Sequence, residues 1–204
     1  MTRRGGPGPA IDPAGIAMPT APRLTAAGAA LLVVDLQARL VPSIRDADRV
    51  VAAAARLARA AHLLDLPVVA TEQVPAKLGP TVAPLLDLLP DRLPKATFHA
   101  GGAPGLWEFL AARAVRHVAL VGIEAHICVA QTALELLARG FAVQVPVDAV
   151  GSRFAVDRAV ALRRLDRAGA ILTTAEATLF EWVESAEHPQ FRAISALVKE
   201  RAAE

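Results

Sequence analysis

From about residue 26 onward, the chain alternates two kinds of hydrophobic pattern. Short continuous apolar runs occupy 29–34, 66–71, 118–123, 142–147 and 170–174, with a weaker extended piece over 92–98. Between them lie stretches whose apolar residues recur at helical spacing. Over 46–64, Val50, Ala54, Leu57, Ala61 and Leu64 form one stripe, while Arg49, Arg56 and Arg59 fall off it. Further helices are predicted over 80–89, 103–114, 129–139, 155–167, 176–185 and 189–201, and Gly140 and Gly169 stop two of them as C-caps. Strands that are apolar throughout, rather than alternating, belong to a parallel sheet covered on both faces. Right-handed crossovers then give an α/β fold: a three-layer α/β/α Rossmann-like domain with a mostly parallel sheet of about six strands.

That architecture predicts where a site lies. In open parallel sheets the ligand crevice sits outside the carboxyl ends of the strands. Asp35 ends the first apolar run, Glu72 lies just past the second, Lys95 falls near the end of the third, and Glu124 to Cys128 follow the fourth. All are expected at one rim.

Composition narrows the class. The chain has 204 residues, enough for one domain with a real core, and is 54% hydrophobic with 13 Gly and 15 Pro, as a globular chain is. Residues 1–25 are rich in Gly, Pro and Ala without periodicity and read as a flexible N-terminal tail, leaving 26–204 as the domain. The first 22 residues carry Arg3 and Arg4 but no apolar core, so they do not read as a signal peptide. No apolar run approaches the ~18 residues of a membrane span. The formal net charge is only +2, and no Lys/Arg run is interleaved with aromatics, so neither a membrane nor a nucleic-acid partner is expected. A single cysteine allows no intramolecular disulfide and fits a reducing, cytoplasmic setting. The basic residues are almost all Arg; only Lys77, Lys95 and Lys199 are Lys. Lys can give up its proton or act as a compact charge, which Arg cannot.

Three side chains stand out at the predicted rim. Cys128 sits where a buried strand turns into a helix, a place where unpaired amides and the helix dipole are expected to favour thiolate over thiol. The alternatives are plain packing or a redox-sensing thiol. Asp35 reads either as a turn cap or as a general base for that thiol. Lys95 reads either as a snorkelling surface residue or as a cation that holds thiolate charge and orients the carboxylate. The backbone N–H groups of the turn from Glu124 to Cys128 are positioned to serve as an oxyanion hole. Gln37, Gln73, Phe98 and His126 are candidates to contact substrate, and His99 is a weaker one. Glu72 is expected to pair with Arg or Lys77, while His117 and His188 read as ordinary structural residues.

The segments Val33-Val34-Asp35-Leu36-Gln37, Lys95 and Gly122-Ile123-Glu124-Ala125-His126-Ile127-Cys128-Val129, with Thr132-Ala133, resemble the isochorismatase-like cysteine hydrolases. The segments 71–80, 148–153 and 173–180 resemble the isochorismatase domain-containing branch of that family. The resemblance covers about 29–199. It implies Asp35, Lys95 and Cys128 as a catalytic triad, and a non-proline cis peptide at Ile123-Glu124 that turns the Glu124 N–H toward the oxyanion beside that of Cys128. It also implies self-association. The terminal helices, with Phe180, Trp182, Phe191, Ile194 and Leu197, are apolar enough to cover a neighbouring copy, or else simply cover the sheet. Metal-binding relatives carry an Asp-x-His pair and a further His between the catalytic Asp and Lys. Here that span holds only His62, so no metal and no other cofactor is expected.

The sequence therefore predicts a metal-independent cysteine hydrolase acting on a small amide or related C–N bond through a thioester, with Asp35 and Lys95 both easing thiolate formation. Two rivals are a vinyl ether hydrolase run by Asp35 with Cys128 as bystander, and a catalytically silent oligomeric binding protein. The last predicts that Cys128 reacts with iodoacetamide no faster than a free thiol.

Overall fold

A computed structural model describes residues 23–200. Along the chain run β1 (Ala29–Val34), α1 (Ala47–Leu63), β2 (Val68–Gln73), α2 (Pro75–Leu78), α3 (Ala83–Leu86), β3 (Arg92–Lys95), α4 (Leu106–Ala112), β4 (His117–Ile123), α5 (Ala130–Ala138), β5 (Ala142–Pro146), β6 (Val150–Gly151), α6 (Ala155–Arg167), β7 (Ile171–Thr173), α7 (Ala175–Val183) and α8 (Phe191–Glu200). The sheet runs β3-β2-β1-β4-β5-β7, with β6 beside the end of β4. All six strand pairings are parallel. The one additional strand, β6, spans two residues, too short to leave a periodic signal.

The apolar runs split by parity, as a strand buried on both faces must. Leu31 and Val33 of β1 join the core beneath α1, whereas Ala30, Leu32 and Val34 join the core beneath α4, α5 and α6. On α1 the buried stripe is rich in alanine: Ala53, Ala54, Ala58, Ala60 and Ala61 are all fully buried. Side chains this small let the helix lie close to the sheet.

Two expectations need correction. Leu24 is buried, its N–H donates to Glu181 Oε2 at 3.2 Å, and the Thr25 carbonyl lies 2.7 Å from His117 Nε2. The domain therefore takes in residues assigned to the tail, of which 1–22 lie outside the described residues. The terminal helices also turn inward. Trp182, Ile194 and Leu197 belong to the core beneath α1, leaving only Phe180 of the five apolar candidates strongly exposed. The two helices pack on α1 and on each other within that core. No described helix is long and apolar enough to cross a membrane.

The rim is set by the contact between β1 and β4, where Val34 pairs with Gly122. Gly122 has φ +116°, and a Cβ there would stand 2.1 Å from the Val34 carbonyl oxygen. Only glycine admits that approach with that backbone. We expect Gly122→Ala to cost roughly 2–5 kcal/mol, the sum of overpacking and backbone strain. Chemical denaturation checks this, and a loss below about 1 kcal/mol would show that the two strands have room to separate.

Candidate active site

Asp35 follows β1 in a left-handed conformation (φ 51°) and is fully buried. Its backbone N–H donates to the Thr71 carbonyl at 3.1 Å. Two donors hold its carboxylate. Thr71 Oγ1 donates to Oδ1 at 2.7 Å, and Lys95 Nζ donates to Oδ2 at 2.7 Å. The Lys95 and Asp35 side chains have no exposed surface, so this is a buried ion pair. Lys95 is further fixed by Gln73 Oε1 and by the Thr97 and Phe98 carbonyls, both at 3.2 Å. An ammonium met by four acceptors is a fully solvated charge inside the protein, which is what burial of such a group requires.

Cys128 comes to the same carboxylate from the opposite strand. The chain leaves β4 through a cis Ile123-Glu124 peptide and enters a π-helical turn over Ala125–Val129, which continues into α5. Cys128 lies in that turn and is 92% buried. Its sulfur lies within electrostatic reach of both partners: the Asp35 carboxylate disfavours a negative charge on it and Lys95 favours one. The Glu124 backbone acts on the sulfur in the sense that favours thiolate, as the smallest of these influences.

The balance of those effects reverses an expectation. Burial and the neighbouring Asp35 charge push the Cys128 thiol up to about 12, against the smaller opposing pulls of Lys95 and the Glu124 backbone. The head of a helix was expected to favour thiolate, and Asp35 to help form it. Instead burial and Asp35 both favour the thiol over the thiolate, and of the two charged partners only Lys95 favours the anion.

The remaining candidates separate. Gln37 is not available to a ligand: its Nε2 donates to the Gln73 and Gly79 carbonyls (3.1 and 2.7 Å), and its Oε1 accepts from Gln73 N at 2.7 Å. It braces the loop after β1 against β2. Gln73 is likewise internal, with Oε1 on Lys95 and Nε2 donating to the Ala96 carbonyl at 2.8 Å. It orients the lysine instead of facing outward. Phe98 keeps 55% of its surface exposed immediately beside the Lys95 cradle. His126 is half-buried and turned toward α6, with Nδ1 3.0 Å from Ser152 Oγ and Nε2 3.8 Å from Asp157 Oδ2. His99 Nδ1 lies 2.5 Å from Glu135 Oε2. Glu72 mainly accepts from the Thr81 N–H and hydroxyl, both at 2.8 Å, with Arg92 farther off at 3.9 Å.

Sequence reasoning missed Thr71 as a site residue. Its only signal was its place in the last buried turn of β2, level with the end of β1. It also missed two struts that fix the Cys128 turn. Thr132 Oγ1 on α5 accepts from Ala100 N at 2.8 Å, tying that helix to the segment after Lys95. The Glu124 carboxylate accepts from Arg153 N and Nε, both at 3.1 Å, tying the cis-peptide corner to the loop after β6. Among the described residues, no cluster of three or more His, Cys, Asp or Glu side chains is arranged to hold a metal ion.

The model of the isochorismatase domain matches residues 29–177. Isochorismatase domain-containing protein 2A of Mus musculus is 43% identical over 171 residues, covering 83% of this chain and 82% of that one. The structure of MAR1 ribonuclease from Caenorhabditis elegans superposes with a TM-score of 0.83 at 39% identity, covering 87% of this chain and 93% of that chain. YcaC from Pseudomonas aeruginosa, solved with hexane-2,5-diol and covalent acrylamide, superposes with a TM-score of 0.79 at 27% identity, covering 89% and 96%. With a rim built from the ends of β1, β3 and β4 and a domain match across most of its length, the chain belongs to the isochorismatase family of hydrolases.

Proposed function

We propose that the protein is a metal-independent cysteine hydrolase that opens a small amide, or a related C–N bond, through a thioester on Cys128. The observation that carries this reading is the Cys128 sulfur lying within electrostatic reach of an Asp35 carboxylate already held by Lys95 and Thr71. A thiol with its acidity suppressed to about 12 is a poor free nucleophile at neutral pH. It becomes a good one if its proton leaves as the carbon–sulfur bond forms, and the adjacent carboxylate is the group to take that proton.

The steps follow from the positions. Asp35 removes the thiol proton as sulfur attacks the substrate carbonyl. The N–H groups of Glu124 and Cys128 hold the tetrahedral oxyanion. Protonated Asp35 gives its proton to the departing amine or ammonia, leaving a thioester. Asp35, again a carboxylate, takes a proton from water as that water attacks the thioester; the carboxylic acid leaves and the thiol is restored. Lys95 orients the Asp35 carboxylate between these transfers and offsets the negative charge that builds on sulfur. Phe98, exposed beside Lys95, is the candidate to stack on a flat substrate, whereas Gln37 and Gln73 act only by positioning. The one histidine between Asp35 and Lys95, His62, has its ring on the Leu88 carbonyl at 2.7 Å.

Intact-mass spectrometry after exposure to a panel of small amides tests the reading. We expect acylation of the wild-type protein and none of Cys128→Ala, with turnover lost in that variant. Asp35→Asn is expected to lower turnover by roughly 10²–10⁴-fold, the range of a lost general base. Because one partner of a buried ion pair is removed, folding of that variant is to be verified by circular dichroism. If Cys128→Ala still hydrolyses substrate while Asp35→Asn does not, the vinyl ether reading replaces this one. An RNA substrate belongs in the same panel, given the description of the nematode relative. Slow alkylation by iodoacetamide does not distinguish an enzyme from a silent binding protein here, because a resting thiol alkylates slowly in either case.

Self-association is part of the same proposal, on a different surface from the terminal helices. Phe154, Val156 and Val160 lie at and just within the start of α6, each at least half exposed. Three apolar side chains together on one stretch of surface suit burial against a second copy. Light scattering is expected to report an oligomer that Val156→Asp with Val160→Asp weakens; an unchanged mass would place the interface elsewhere.

A further inference from the structure

A second polar feature lies on the same rim, outside the Asp35–Lys95–Cys128 cluster. Between the start of α1 and the start of α6 is a cavity of about 230 Å³, lined among others by Arg45, Arg49 and Arg158, with Asp46, Ser152 and Ala155. The charges lining it do not balance. Asp46 is the one acidic side chain on its wall, and it serves both Arg45 (3.9 Å) and Arg49 (3.5 Å) at distances too long for strong hydrogen bonds. Arg158 is anchored from within, its guanidinium donating to the Val150 carbonyl at 3.0 Å and to that of Val147. Arg45 and Arg49 face it with side chains more than half exposed. Burial lowers the pKa of Arg158 and the facing Arg49 lowers it further, with Asp148 and Asp46 opposing. Like charges held together around a hollow are relieved by an anion. The wall adds further donors. Ala155 begins the 13-residue α6, whose N-cap residue, Phe154, supplies no side-chain hydrogen bond to the first amides.

We propose that this cavity binds a small doubly charged oxyanion, a phosphoryl group either free or as a monoester. Three guanidiniums face one carboxylate on the wall, with Asp148 acting on Arg158 from beyond it, and the net positive charge that remains suits an anion. Planar guanidinium forks suit the tetrahedral oxygens of phosphate. The site is separate from the hydrolytic cluster but touches its scaffold, because Ser152 on the cavity wall bonds His126, two residues before Cys128.

The test is thermal shift and isothermal titration of the whole protein with inorganic phosphate, glycerol phosphate, acetate and sodium chloride at matched ionic strength. Phosphate is expected to stabilise the protein saturably and beyond chloride. Stronger binding of glycerol phosphate would identify a monoester, and the reverse would identify the free ion. Arg49→Gln and Arg45→Gln are each expected to weaken binding about tenfold, the loss of one charge-assisted contact. Arg139→Gln, remote from the cavity over the Trp107 ring, is expected to leave binding unchanged. Asp46→Asn is expected to strengthen it by removing the competing carboxylate, a gain that damage to folding would not produce. Phosphate acting no differently from chloride, acetate binding as well as phosphate, or Arg49→Gln binding like wild type would each overturn the proposal.

Discussion

One buried carboxylate organises the rim of this protein. Asp35 has no exposed surface, and an isolated charge in that position would be prohibitively costly. It is tolerated because Lys95 supplies the opposite charge and Thr71 a further hydrogen bond. Each of these comes from a different strand end, so the carboxylate forces β1, β2 and β3 to finish in register. The lysine in turn needs Gln73 and two backbone carbonyls, which fixes the segment after β3. The cluster is thus a structural knot as well as the proposed reaction centre.

The fourth strand brings sulfur to that knot, and its approach depends on backbone detail. Gly122 lets β4 press against the end of β1, and the next peptide but one is cis. The turn beyond it winds as a π-helix, placing Cys128 against Asp35 and the Glu124 amide near the sulfur. Arg153 holds the corner from one side and Thr132 holds α5 from the other. The sulfur is nearly buried and near a negative charge. Those conditions disfavour the thiolate, and in the proposed reaction the first event is proton transfer to Asp35 as sulfur attacks.

Much of this was legible in the residues. Continuous apolar runs such as 118–123 announced a sheet covered on both faces, and the strand-end rule placed Asp35, Lys95 and Cys128 together. The amphipathic stripe of α1 and the glycine stop after α6 set those helices almost to the residue. What was not legible depends on direction or balance. Gln37 and Gln73 sit where substrate contacts were expected, but sequence position does not tell which way an amide points, and both point inward. The ionisation of Cys128 is a sum of opposing effects, and the sequence showed the helix terminus but not the depth of burial. Strand β6 and helix α2 are too short to leave a period, and Leu24 and Thr25 are held by single long-range bonds that composition does not reveal.

The chain offers an unusually clean way to examine the state of its sulfur. It has one cysteine and no tyrosine, so thiolate absorbance in the ultraviolet, followed against pH, reports Cys128 without interference from phenolate. If Asp35 suppresses ionisation and acts by accepting the thiol proton, the folded wild-type protein shows no thiolate from neutral pH to beyond pH 10, the absorbance rising only toward about 12. Asp35→Asn then lowers the midpoint while activity falls. A wild-type thiolate already present at neutral pH, or a midpoint that rises when the carboxylate is removed, would contradict the account.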